Sequence, residues 1–441
     1  MSKPVVAIVG RPNVGKSTLF NRLVGRSVAI VSKQSGTTRD RVTMETTWAD
    51  HPFILVDTGG LELFPDTDLW RQVRFQVETA IEDADVIVMV VDVTQGVTVS
   101  DVEVAEVLRP GDKPVVLAVN KVDTDSKADG AHEFHELGLG EPFPISGYHN
   151  LGLDDMMAEV LSFFPPEPEF PEPEADLRLA IVGRPNVGKS QLLNALTGEN
   201  RSIVSDVPGT TRDTIDTLIN YRDMDVLLID TAGIRRRGKI GTGIEKYSVI
   251  RSVRAIDRAD VVILLMDAME PATAQDTHIA GYILDSYKGF VLGVNKWDLL
   301  EGTGVTKGEI EALLRQRFKF ATYAPVRFMS ALEGNGLEDL LDTSIHVFGE
   351  WTKDIPRYEL RRTVMGAIAE HPPSGVRGRS LKIYSVAQDE TAPPRFTFFV
   401  NRADSVHFSY ERYLENRIRQ AYDFSGSPLR MRFQGRRRTR T

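Results

Sequence analysis

Two copies of one glycine-rich octapeptide hold residue types that can bind phosphate. Gly10-Arg-Pro-Asn-Val-Gly-Lys-Ser17 recurs letter for letter 173 residues later, as Gly183–Ser190. Glycines let backbone N–H groups wrap a phosphate, and a helix that begins behind such a loop adds positive potential. The Lys of each loop is placed to reach the β and γ phosphates of a nucleotide, and the Ser is placed to bind Mg²⁺. These residues are Lys16, Ser17, Lys189 and Ser190.

Two more motifs recur at the same spacing and would complete a site for a metal-bound triphosphate. They are Gly36–Asp40 with Gly209–Asp213, and Asp57–Gly60 with Asp230–Gly233. We expect Thr38 and Thr211 to place a hydroxyl on Mg²⁺, so that their loops fold only when the γ phosphate is present. The alternative is ordinary turn chemistry of Ser, Gly and Thr. Asp57 and Asp230 can hold Mg²⁺ through water, and the glycine that ends each motif can offer its N–H to the γ phosphate.

A fourth repeated motif bears on the choice of base. Asn120-Lys-Val-Asp123 answers to Asn295-Lys-Trp-Asp298, and each copy follows an apolar run. A carboxylate accepts two hydrogen bonds from guanine, whereas adenine has no such donor pair and would leave the charge unpaired. We therefore expect Asp123 and Asp298 to select guanine, with the Asn at the base edge and the Lys packed on the ring. A solvated turn is the alternative.

A further loop in each copy fits the guanine oxygen. Ser146 and the Ser330-Ala331 pair follow the fourth motif, and a backbone N–H at this point can meet that oxygen. The second copy is the better match, because Gly147 stands where the second copy has Ala331.

Short, nearly continuous runs of Val, Ile and Leu are the elements that would position these motifs. Such runs are typical of parallel strands buried on both faces, so the sequence predicts α/β domains with helices on both faces of a mostly parallel sheet. The predicted strands are Pro4–Val9, Phe53–Val56, Val86–Val91, Val115–Val119, Leu179–Val182, Val226–Ile229, Val261–Met266 and Phe290–Val294. Helices are expected over Thr18–Val24 and Gln191–Thr197. The motifs follow the carboxyl ends of the strands, where open α/β sheets bind ligands.

The repeat also predicts the domain boundaries. We expect one α/β domain over 1–163, a second over 177–348, a third domain over 351–435 and a basic tail over 436–441. The intervening residues 164–176 are rich in Pro and Glu, which favours a semi-rigid exposed linker. A tightly packed surface loop is the alternative for this segment.

Composition excludes several classes of protein. The 441 residues include no Cys, which rules out a disulfide framework, a thiolate metal site and a Cys nucleophile. The longest apolar runs are far shorter than the roughly 20 residues of a membrane span, and the amino terminus does not suit a signal peptide. We therefore expect a cytoplasmic protein with no stable membrane association.

Charge is divided unevenly along the chain. The net charge of −9 combines −18 in residues 1–350 with +9 in residues 351–441, where 18 Lys and Arg face nine Asp and Glu. A polyanionic partner is therefore expected to dock mainly through the C-terminal part.

The basic third segment has an α/β pattern of its own. Leu381–Val386, Arg395–Val400 and Leu429–Phe433 predict strands, and Tyr410–Tyr422 predicts a helix. Gly375-Val-Arg-Gly378 has the spacing of an RNA-clamping G-x-x-G loop, but it precedes a strand rather than joining two helices, which favours a flexible turn. The arginines of the tail are better candidates for phosphate contacts.

These motifs resemble a small-GTPase-type G domain, present twice. Tandem G domains followed by a basic segment resemble the Der/EngA family of bacterial GTPases over essentially the whole chain. The resemblance implies GTP binding and hydrolysis to GDP in both domains, with Mg²⁺, and a C-terminal KH-like domain. It also implies a role in maturation of the large (50S) ribosomal subunit with contact to 23S rRNA, and we expect a monomer without a DNA partner.

The resemblance also bears on hydrolysis. Ras-like enzymes orient the attacking water with a Gln, but Leu61 and Ile234 stand at that position here, so slow intrinsic turnover is expected. In related GTPases the loop Asn helps to coordinate K⁺, and Asn13 and Asn186 match that position; the alternative is that each Asn only satisfies the loop backbone. Arg39, Arg212 and Arg235–Arg237 adjoin the switch loops, where they could stabilise transition-state charge, contact RNA or form a solvated surface.

The predicted site residues form three sets. The catalytic set is Lys16, Thr38, Lys189, Thr211, Asn13 and Asn186, and the metal set is Ser17, Thr38, Asp57, Ser190, Thr211 and Asp230. The nucleotide contacts of the first copy are Gly10, Arg11, Pro12, Asn13, Val14, Gly15, Lys16, Ser17, Asp57, Thr58, Gly59, Gly60, Leu61, Asn120, Lys121, Val122, Asp123 and Ser146. Those of the second copy are Gly183, Arg184, Pro185, Asn186, Val187, Gly188, Lys189, Ser190, Asp230, Thr231, Ala232, Gly233, Ile234, Asn295, Lys296, Trp297, Asp298, Ser330 and Ala331.

Two other functions remain open at this point. A metabolic kinase would pass phosphate to a small acceptor, although the chain offers no acceptor domain. A constitutive RNA-binding scaffold would need only one active G domain.

Overall fold

The structure, a computed structural model, describes residues 3–27, 43–60, 83–164, 174–198, 205–207, 216–230, 249–373 and 381–435, with residues 74, 77, 78, 80 and 81. The chain forms two compact units, one of Met1–Pro168 with Ser248–Arg254 and one of Glu169–Tyr247 with Ala255–Thr441. Across the described ranges, no helix combines the length and apolar character that a membrane crossing requires. Most of the predicted linker, the G-x-x-G loop and the basic tail lie outside the described residues.

A six-stranded sheet forms the centre of the first unit, and it confirms the predicted fold class. Its strands lie in the order β2-β3-β1-β4-β5-β6, and all neighbours are parallel except β2 and β3. The strands are β1 (Val5–Val9), β2 (Thr43–Trp48), β3 (His51–Asp57), β4 (Val86–Asp92), β5 (Val115–Asn120) and β6 (Pro142–Pro144). Every residue of β1 and β4 is buried, which explains why neither run alternates apolar with polar residues.

Four helices of the first unit lie entirely within its described residues. They are α1 (Lys16–Ser27), α2 (Val99–Leu108), α3 (Asp125–Ala128) and α4 (Leu153–Ser162), with 3₁₀ turns at Thr58–Gly60, Val93–Gln95 and Asp129–Leu137. The first of these, α1, buries Leu19, Phe20 and Leu23 in the core, so the phosphate loop between β1 and α1 is held at both ends by packing. A Thr98–Asp101 capping box starts α2.

The second unit repeats this architecture around seven strands. Their order is β13-β12-β11-β7-β10-β9-β8, and the pairs β8–β9 and β9–β10 are antiparallel. The strands are β7 (Leu177–Val182), β8 (Ser205–Val207), β9 (Asp216–Tyr221), β10 (Met224–Ile229), β11 (Val261–Asp267), β12 (Gly289–Asn295) and β13 (Val326–Phe328). The helices that come next in the chain are α5 (Lys189–Gly198), α6 (Val249–Arg258), α7 (Ala274–Asp285), α8 (Lys307–Arg317) and α9 (Leu337–Trp351), with a 3₁₀ turn at Trp297–Leu300. Residues 249–254 of α6 are assigned to the first unit and the rest of α6 to the second.

The basic C-terminal part of the second unit folds around a small three-stranded sheet. Its strands are β14 (Ile383–Thr391), β15 (Pro394–Val400) and β16 (Arg430–Gly435), and its helices are α10 (Arg357–Glu370) and α11 (Phe408–Tyr422). A 3₁₀ turn covers Ala403–Ser405. Phe396 and Phe398 of β15 are fully buried in a core to which both helices contribute. The predicted strands and helix are all present, although β14 begins two residues later than expected and runs on through polar residues to Thr391.

Direct contacts fix this C-terminal part to the seven-stranded domain. The Phe290 N–H donates to the Gly426 carbonyl at 2.8 Å, and the Gly426 N–H donates to the Tyr323 carbonyl at 2.8 Å. Gly426 has φ +69°, and a Cβ there would lie 2.3 Å from Val347 Cγ2. The Arg419 guanidinium stacks 4.1 Å from the centroid of the Tyr323 ring. The last turn of α9 reaches Trp351, whose indole N–H donates to the Tyr287 carbonyl at 2.9 Å.

Candidate nucleotide-binding sites

The first phosphate loop depends on two glycines. Gly10 has φ +142°, and a Cβ there would lie 2.4 Å from the Val90 carbonyl oxygen. Gly15 has φ +98°, and a Cβ there would lie 2.4 Å from Asn120 Nδ2. Both the backbone angle and the space therefore exclude a side chain. The loop presents a bare backbone at the carboxyl end of β1, as close approach of a phosphate requires.

Lys16 is held inside this loop. Its ammonium donates to the Gly10 carbonyl at 2.8 Å and to the Arg11 carbonyl at 2.9 Å. Burial, together with the nearby Arg11, lowers the pKa of Lys16, and the charge of Asp57 opposes that shift. A phosphate would offer the ammonium charged acceptors in place of neutral carbonyl oxygens, which are weaker partners.

The predicted Mg²⁺ ligands of the first copy lie together. Ser17 Oγ donates to Asp57 Oδ2 at 2.7 Å, and Asp57 Oδ1 accepts the Gly59 N–H at 2.9 Å. A hydroxyl and a carboxylate are hard oxygen donors, so the pair fits a Mg²⁺ ion that keeps several waters. Gly59 must be small because a Cβ there would lie 2.5 Å from Lys16 Cε. Thr58 anchors the motif by donating to the Ile8 carbonyl at 2.7 Å.

The base-recognition motif of the first copy is fastened to the phosphate loop. Asn120 Nδ2 donates to the Val14 carbonyl at 2.8 Å, and its Oδ1 accepts the Gly147 N–H at 3.0 Å. Lys121 adopts φ +68° and donates to the Asn13 carbonyl at 3.1 Å. The predicted base site and the predicted phosphate site are therefore joined directly by hydrogen bonds.

Asp123 is ordered by its neighbours. The Ser146 hydroxyl donates to Asp123 Oδ1 at 2.8 Å, and Lys127 Nζ approaches Oδ2 at 3.4 Å. The Ser146 hydrogen bond is the main cause of a lowered pKa for Asp123, and Lys127 and His149 lower that pKa further. The carboxylate thus stays ionised, as an acceptor for two guanine N–H groups must.

The second copy repeats the phosphate-loop and Asn contacts of the first. Gly183 and Gly188 again leave no space, since a Cβ would lie 2.3 Å from the Leu265 carbonyl oxygen and 2.2 Å from Asn295 Nδ2 respectively. Lys189 Nζ donates to the Gly183 carbonyl at 3.0 Å and to the Arg184 carbonyl at 2.7 Å. Asn295 Nδ2 donates to the Val187 carbonyl at 2.8 Å, and Asn295 Oδ1 accepts the Ala331 N–H at 2.9 Å. The same motifs therefore adopt the same loop geometry in both sheets.

Asp298 provides a direct sign of a missing partner. Its Oδ1 is buried and has no hydrogen-bond partner among the described residues. A buried carboxylate oxygen without a donor costs about 1–3 kcal/mol, which an N–H of a ligand would recover. The orphaned oxygen fits the two N–H groups on the guanine edge.

The two copies differ at the strand end that carries the Mg²⁺ carboxylate. Asp230 has the left-handed φ of +58°, and its N–H donates to Asp216 Oδ1 at 2.9 Å. Asp216 also forms an ion pair with Arg258, in which both side chains are almost fully buried. The first copy has Thr43 at the position of Asp216. The backbone of Asp230, the predicted metal ligand of the second copy, is thus held by a buried ion pair with no counterpart of the same residue types in the first.

Several predicted contacts serve the loop rather than an open pocket. Arg11 pairs with Asp101 at 3.2 Å, and Arg184 pairs with Glu270 at 2.6 Å. Three predicted contacts, Val14, Val122 and Val187, are buried apolar side chains that support the backbone. Trp297 packs edge-on against Phe328 with ring centroids 4.8 Å apart.

Some predicted residues lie outside the described part of the chain. They are Thr38, Arg39, Leu61, Thr211, Arg212, Thr231, Ala232, Gly233, Ile234 and Arg235–Arg237. Their predicted roles stay predictions.

Two acidic residues of the site were missed by sequence reasoning. Asp92 and Asp267 end β4 and β11, and each binds the motif lysine, with 2.6 Å between Lys121 Nζ and Asp92 Oδ2 and 2.7 Å between Lys296 Nζ and Asp267 Oδ2. Although burial acts to raise the pKa of Asp92, hydrogen bonds from Lys121 and Thr94 lower it overall. The signal was present, because the two Asp residues recur at the same spacing as the lysines that they bind.

Comparison with known families matches three stretches of the chain. Residues 5–121 and 178–296 match the family described as "50S ribosome-binding GTPase". Residues 355–434 match "KH-domain-like of EngA bacterial GTPase enzymes, C-terminal". The first family covers every strand of the two large sheets except β6, the first residue of β7 and β13, and the second covers most of the basic C-terminal part.

Curated relatives match over the full length. The chain is 50% identical to GTPase Der of Chloroflexus aggregans over 446 residues, with 99% of each chain covered. It is 46% identical to GTPase Der of Herpetosiphon aurantiacus, with 100% of this chain and 98% of the relative covered. GTPase Der of Moorella thermoacetica is 47% identical, with 99% of this chain and 100% of the relative covered.

Proposed function

The chain belongs to the Der (EngA) family of GTPases and is a GTP hydrolase, and from this premise we propose that both sites bind GTP, hydrolyse it to GDP and phosphate, and switch the protein's affinity for the large (50S) ribosomal subunit. The observation that carries the proposal is that the phosphate-loop lysine and the Asn of the base motif make the same contacts in both sites. A scaffold with one inactive domain would not need the second set of buried polar contacts, several of which constrain glycines and a carboxylate at a cost in stability.

Guanine specificity at the second site rests on the buried, unpartnered Oδ1 of Asp298. Adenine offers no donor pair to a carboxylate, so its binding would leave that oxygen unsatisfied. At the first site the ionised Asp123 plays the same part. We therefore propose GTP and GDP, rather than adenine nucleotides, as the ligands of both sites.

Ser17 with Asp57, and Ser190 with Asp230, would hold Mg²⁺. Such an ion neutralises charge on the β and γ phosphate oxygens. Lys16 and Lys189 would bind the same oxygens from the loop side. Thr38 and Thr211 are proposed to complete each site when GTP is bound.

Hydrolysis needs a source of positive charge, because Leu61 and Ile234 cannot orient water by hydrogen bonding. We propose that K⁺ supplies this charge with the help of Asn13 and Asn186. Both residues have a left-handed φ, +65° and +64°, which Asn tolerates better than most residues, so the backbone alone also accounts for their type. Replacement of K⁺ by Na⁺ at equal ionic strength therefore decides between the two: GTP turnover should fall in Na⁺, and equal turnover would remove the K⁺ role.

The basic C-terminal part is the proposed contact to 23S rRNA. Arg357, Arg361 and Arg362 are exposed on α10, and Arg362 lies over the exposed ring of Tyr358 at 5.9 Å. Arginine with a stacking aromatic side chain suits RNA phosphates and bases. A ribosomal partner implies a cytoplasmic location.

Co-sedimentation with purified 50S particles tests the proposal. The intact chain should bind differently with a non-hydrolysable GTP analogue than with GDP, and Lys16→Ala and Lys189→Ala should each alter that difference. Binding that ignores the nucleotide in the wild-type chain would favour the constitutive scaffold. Any phosphorylated product other than GDP and free phosphate would favour a kinase.

A further inference from the structure

An arginine of helix α1 binds the backbone of residues 146–148, which we call the guanine loop of the first site. Arg22 Nε donates to the Gly147 carbonyl at 3.0 Å, and Arg22 Nη2 donates to the Tyr148 carbonyl at 2.5 Å. Arg22 lies on the helix that begins at the phosphate loop, 125 residues away from Gly147 in sequence. One side chain thus joins the element behind the phosphate loop to the backbone that faces the base.

The second site has neither residue of this pair. Aligned on the phosphate loops, Ala195 of α5 stands where α1 has Arg22, and aligned on the serines, Ala331 stands where the first loop has Gly147. The two sites therefore combine either an arginine with a glycine or two alanines.

Space does not explain the glycine. A Cβ on Gly147 would lie 3.5 Å from Leu19 Cα and 3.6 Å from Asn120 Oδ1, which is ordinary van der Waals contact. No left-handed φ is recorded for Gly147. Glycine at this position mainly gives the unbound backbone more conformations, so ordering the loop costs more than it would with Ala.

Despite this difference, both loops reach the same geometry. The Gly147 N–H donates to Asn120 Oδ1 at 3.0 Å, and the Ala331 N–H donates to Asn295 Oδ1 at 2.9 Å. The first loop also carries Ser146, whose hydroxyl binds Asp123 and accepts the His149 N–H at 3.1 Å. A restraint on Gly147 and Tyr148 therefore acts on the N–H and on the carboxylate at once.

We propose that Arg22 is a positioning residue for guanine recognition at the first site, where it supplies the loop order that Ala331 provides intrinsically at the second. This inference rests on the proposed role of the first site in binding guanine nucleotides. Arg22 contacts no base in this arrangement. It acts by holding two carbonyl oxygens, so that the Gly147 N–H stays on Asn120 Oδ1 and the Ser146–Asp123 pair keeps its geometry toward the base.

GDP titration of the full-length chain tests the inference. In an Asp298→Ala background, which removes base recognition at the second site, Arg22→Ala should weaken GDP binding about tenfold, and Arg22→Lys should weaken it less because one ammonium cannot hold both carbonyls in the same way. Gly147→Ala gives the first loop the residue that the second loop has, and GDP binding by this variant is the reference for the double variant. In the Gly147→Ala background, Arg22→Ala should cost only about twofold to threefold, because alanine restores loop order.

Two controls separate positioning from general damage. Arg109→Ala makes the same charge change at an exposed residue at the end of α2 and should leave GDP binding unaltered. The diphosphate of 2-aminopurine riboside lacks the guanine oxygen and the N1–H and keeps only the 2-amino group, so its weaker binding should respond less to Arg22→Ala than GDP binding does. Equal losses for both nucleotides, or no rescue by Gly147→Ala, would overturn the positioning role.

The outcomes distinguish this inference from the proposed function. If the Asp298→Ala parent binds no GDP, the first site is not a guanine site and both ideas fail. If the parent binds GDP and Arg22→Ala binds it equally well, only the role of Arg22 fails. Should Arg22→Ala unfold, the comparison of Arg22→Lys with and without Gly147→Ala carries the same test.

Discussion

Asp92→Asn should weaken guanine nucleotide binding at the first site by releasing Lys121. Asp92 is fully buried at the end of β4 and accepts hydrogen bonds from Lys121 Nζ at 2.6 Å, from Thr94 Oγ1 at 2.7 Å and from the Thr94 N–H at 3.0 Å. Asparagine keeps the shape and an acceptor for Thr94 but removes the charge that holds Lys121.

The magnitude follows from the type of contact. A hydrogen bond to a charged group is worth about 1.5–3 kcal/mol, but the Lys121 side chain is 38% exposed, so solvent reduces the value to about 1–2 kcal/mol. Since about 1.4 kcal/mol corresponds to a factor of ten, the expected loss is about 5-fold to 30-fold in GDP affinity. The loss falls on the lysine's position over the base rather than on the phosphates.

Titration with GDP in the Asp298→Ala background measures this loss. The matched variant Asp267→Asn should produce a similar loss at the second site, measured in an Asp123→Ala background, because Lys296 lies 2.7 Å from Asp267. In a chain that already carries Lys121→Ala, Asp92→Asn should add little further loss. GDP affinity within twofold of the parent in Asp92→Asn, with a clear loss in Lys121→Ala, would refute the idea that Asp92 acts through Lys121.

Three further outcomes are expected. Gly15→Ala should reduce GDP affinity of the first site by at least about 100-fold in the same titration, because its Cβ would lie 2.4 Å from Asn120 Nδ2 and its φ is +98°, while leaving the second site intact. Gly426→Ala should lower the free energy of unfolding of the second unit by about 2–4 kcal/mol in a urea titration, since it combines a left-handed φ with a Cβ 2.3 Å from Val347 Cγ2, and Gly435→Ala, which has open space, is the control. The Ser146 hydrogen bond lowers the pKa of Asp123. The Asp123 charge therefore contributes fully to binding above the ordinary pKa of about 3.9, and this contribution is lost only as the pH falls through the lowered pKa. GDP affinity of the first site should not drop for this reason between about pH 8 and about pH 5. An Asp123-dependent fall within that window would contradict this assignment.

The parts of the fold that could be predicted are those that local sequence determines. β1 and β4 are buried on both faces, so their runs of Val and Ile carry the whole signal for a parallel strand. Gly10 and Gly15 could be placed in a phosphate loop because the neighbouring Lys16 and Ser17 specify what the bare backbone is for. Each of these motifs also occurs twice, so the second copy supports the prediction made from the first.

Contacts between distant segments could not be predicted in this way. Arg22 finds its carbonyl partners 125 and 126 residues away, and nothing in the pattern around Arg22 indicates them. The ion pair of Asp216 with Arg258 likewise depends on how β9 and α6 pack. Strand β14 extends to Thr391 because it pairs with β15 along polar positions, where the hydrophobic pattern has already faded.

Strand β12 links the second nucleotide site to the C-terminal part of the chain. At its carboxyl end Asn295 meets the phosphate loop and the guanine loop, and at its amino end Phe290 shares a hydrogen bond with Gly426. Five residue steps of extended chain separate them, about 17 Å of backbone that stretches very little. We therefore expect β12 to move as one piece. A displacement of Asn295 as a base enters should also displace Phe290 and the C-terminal part that is bonded to Phe290.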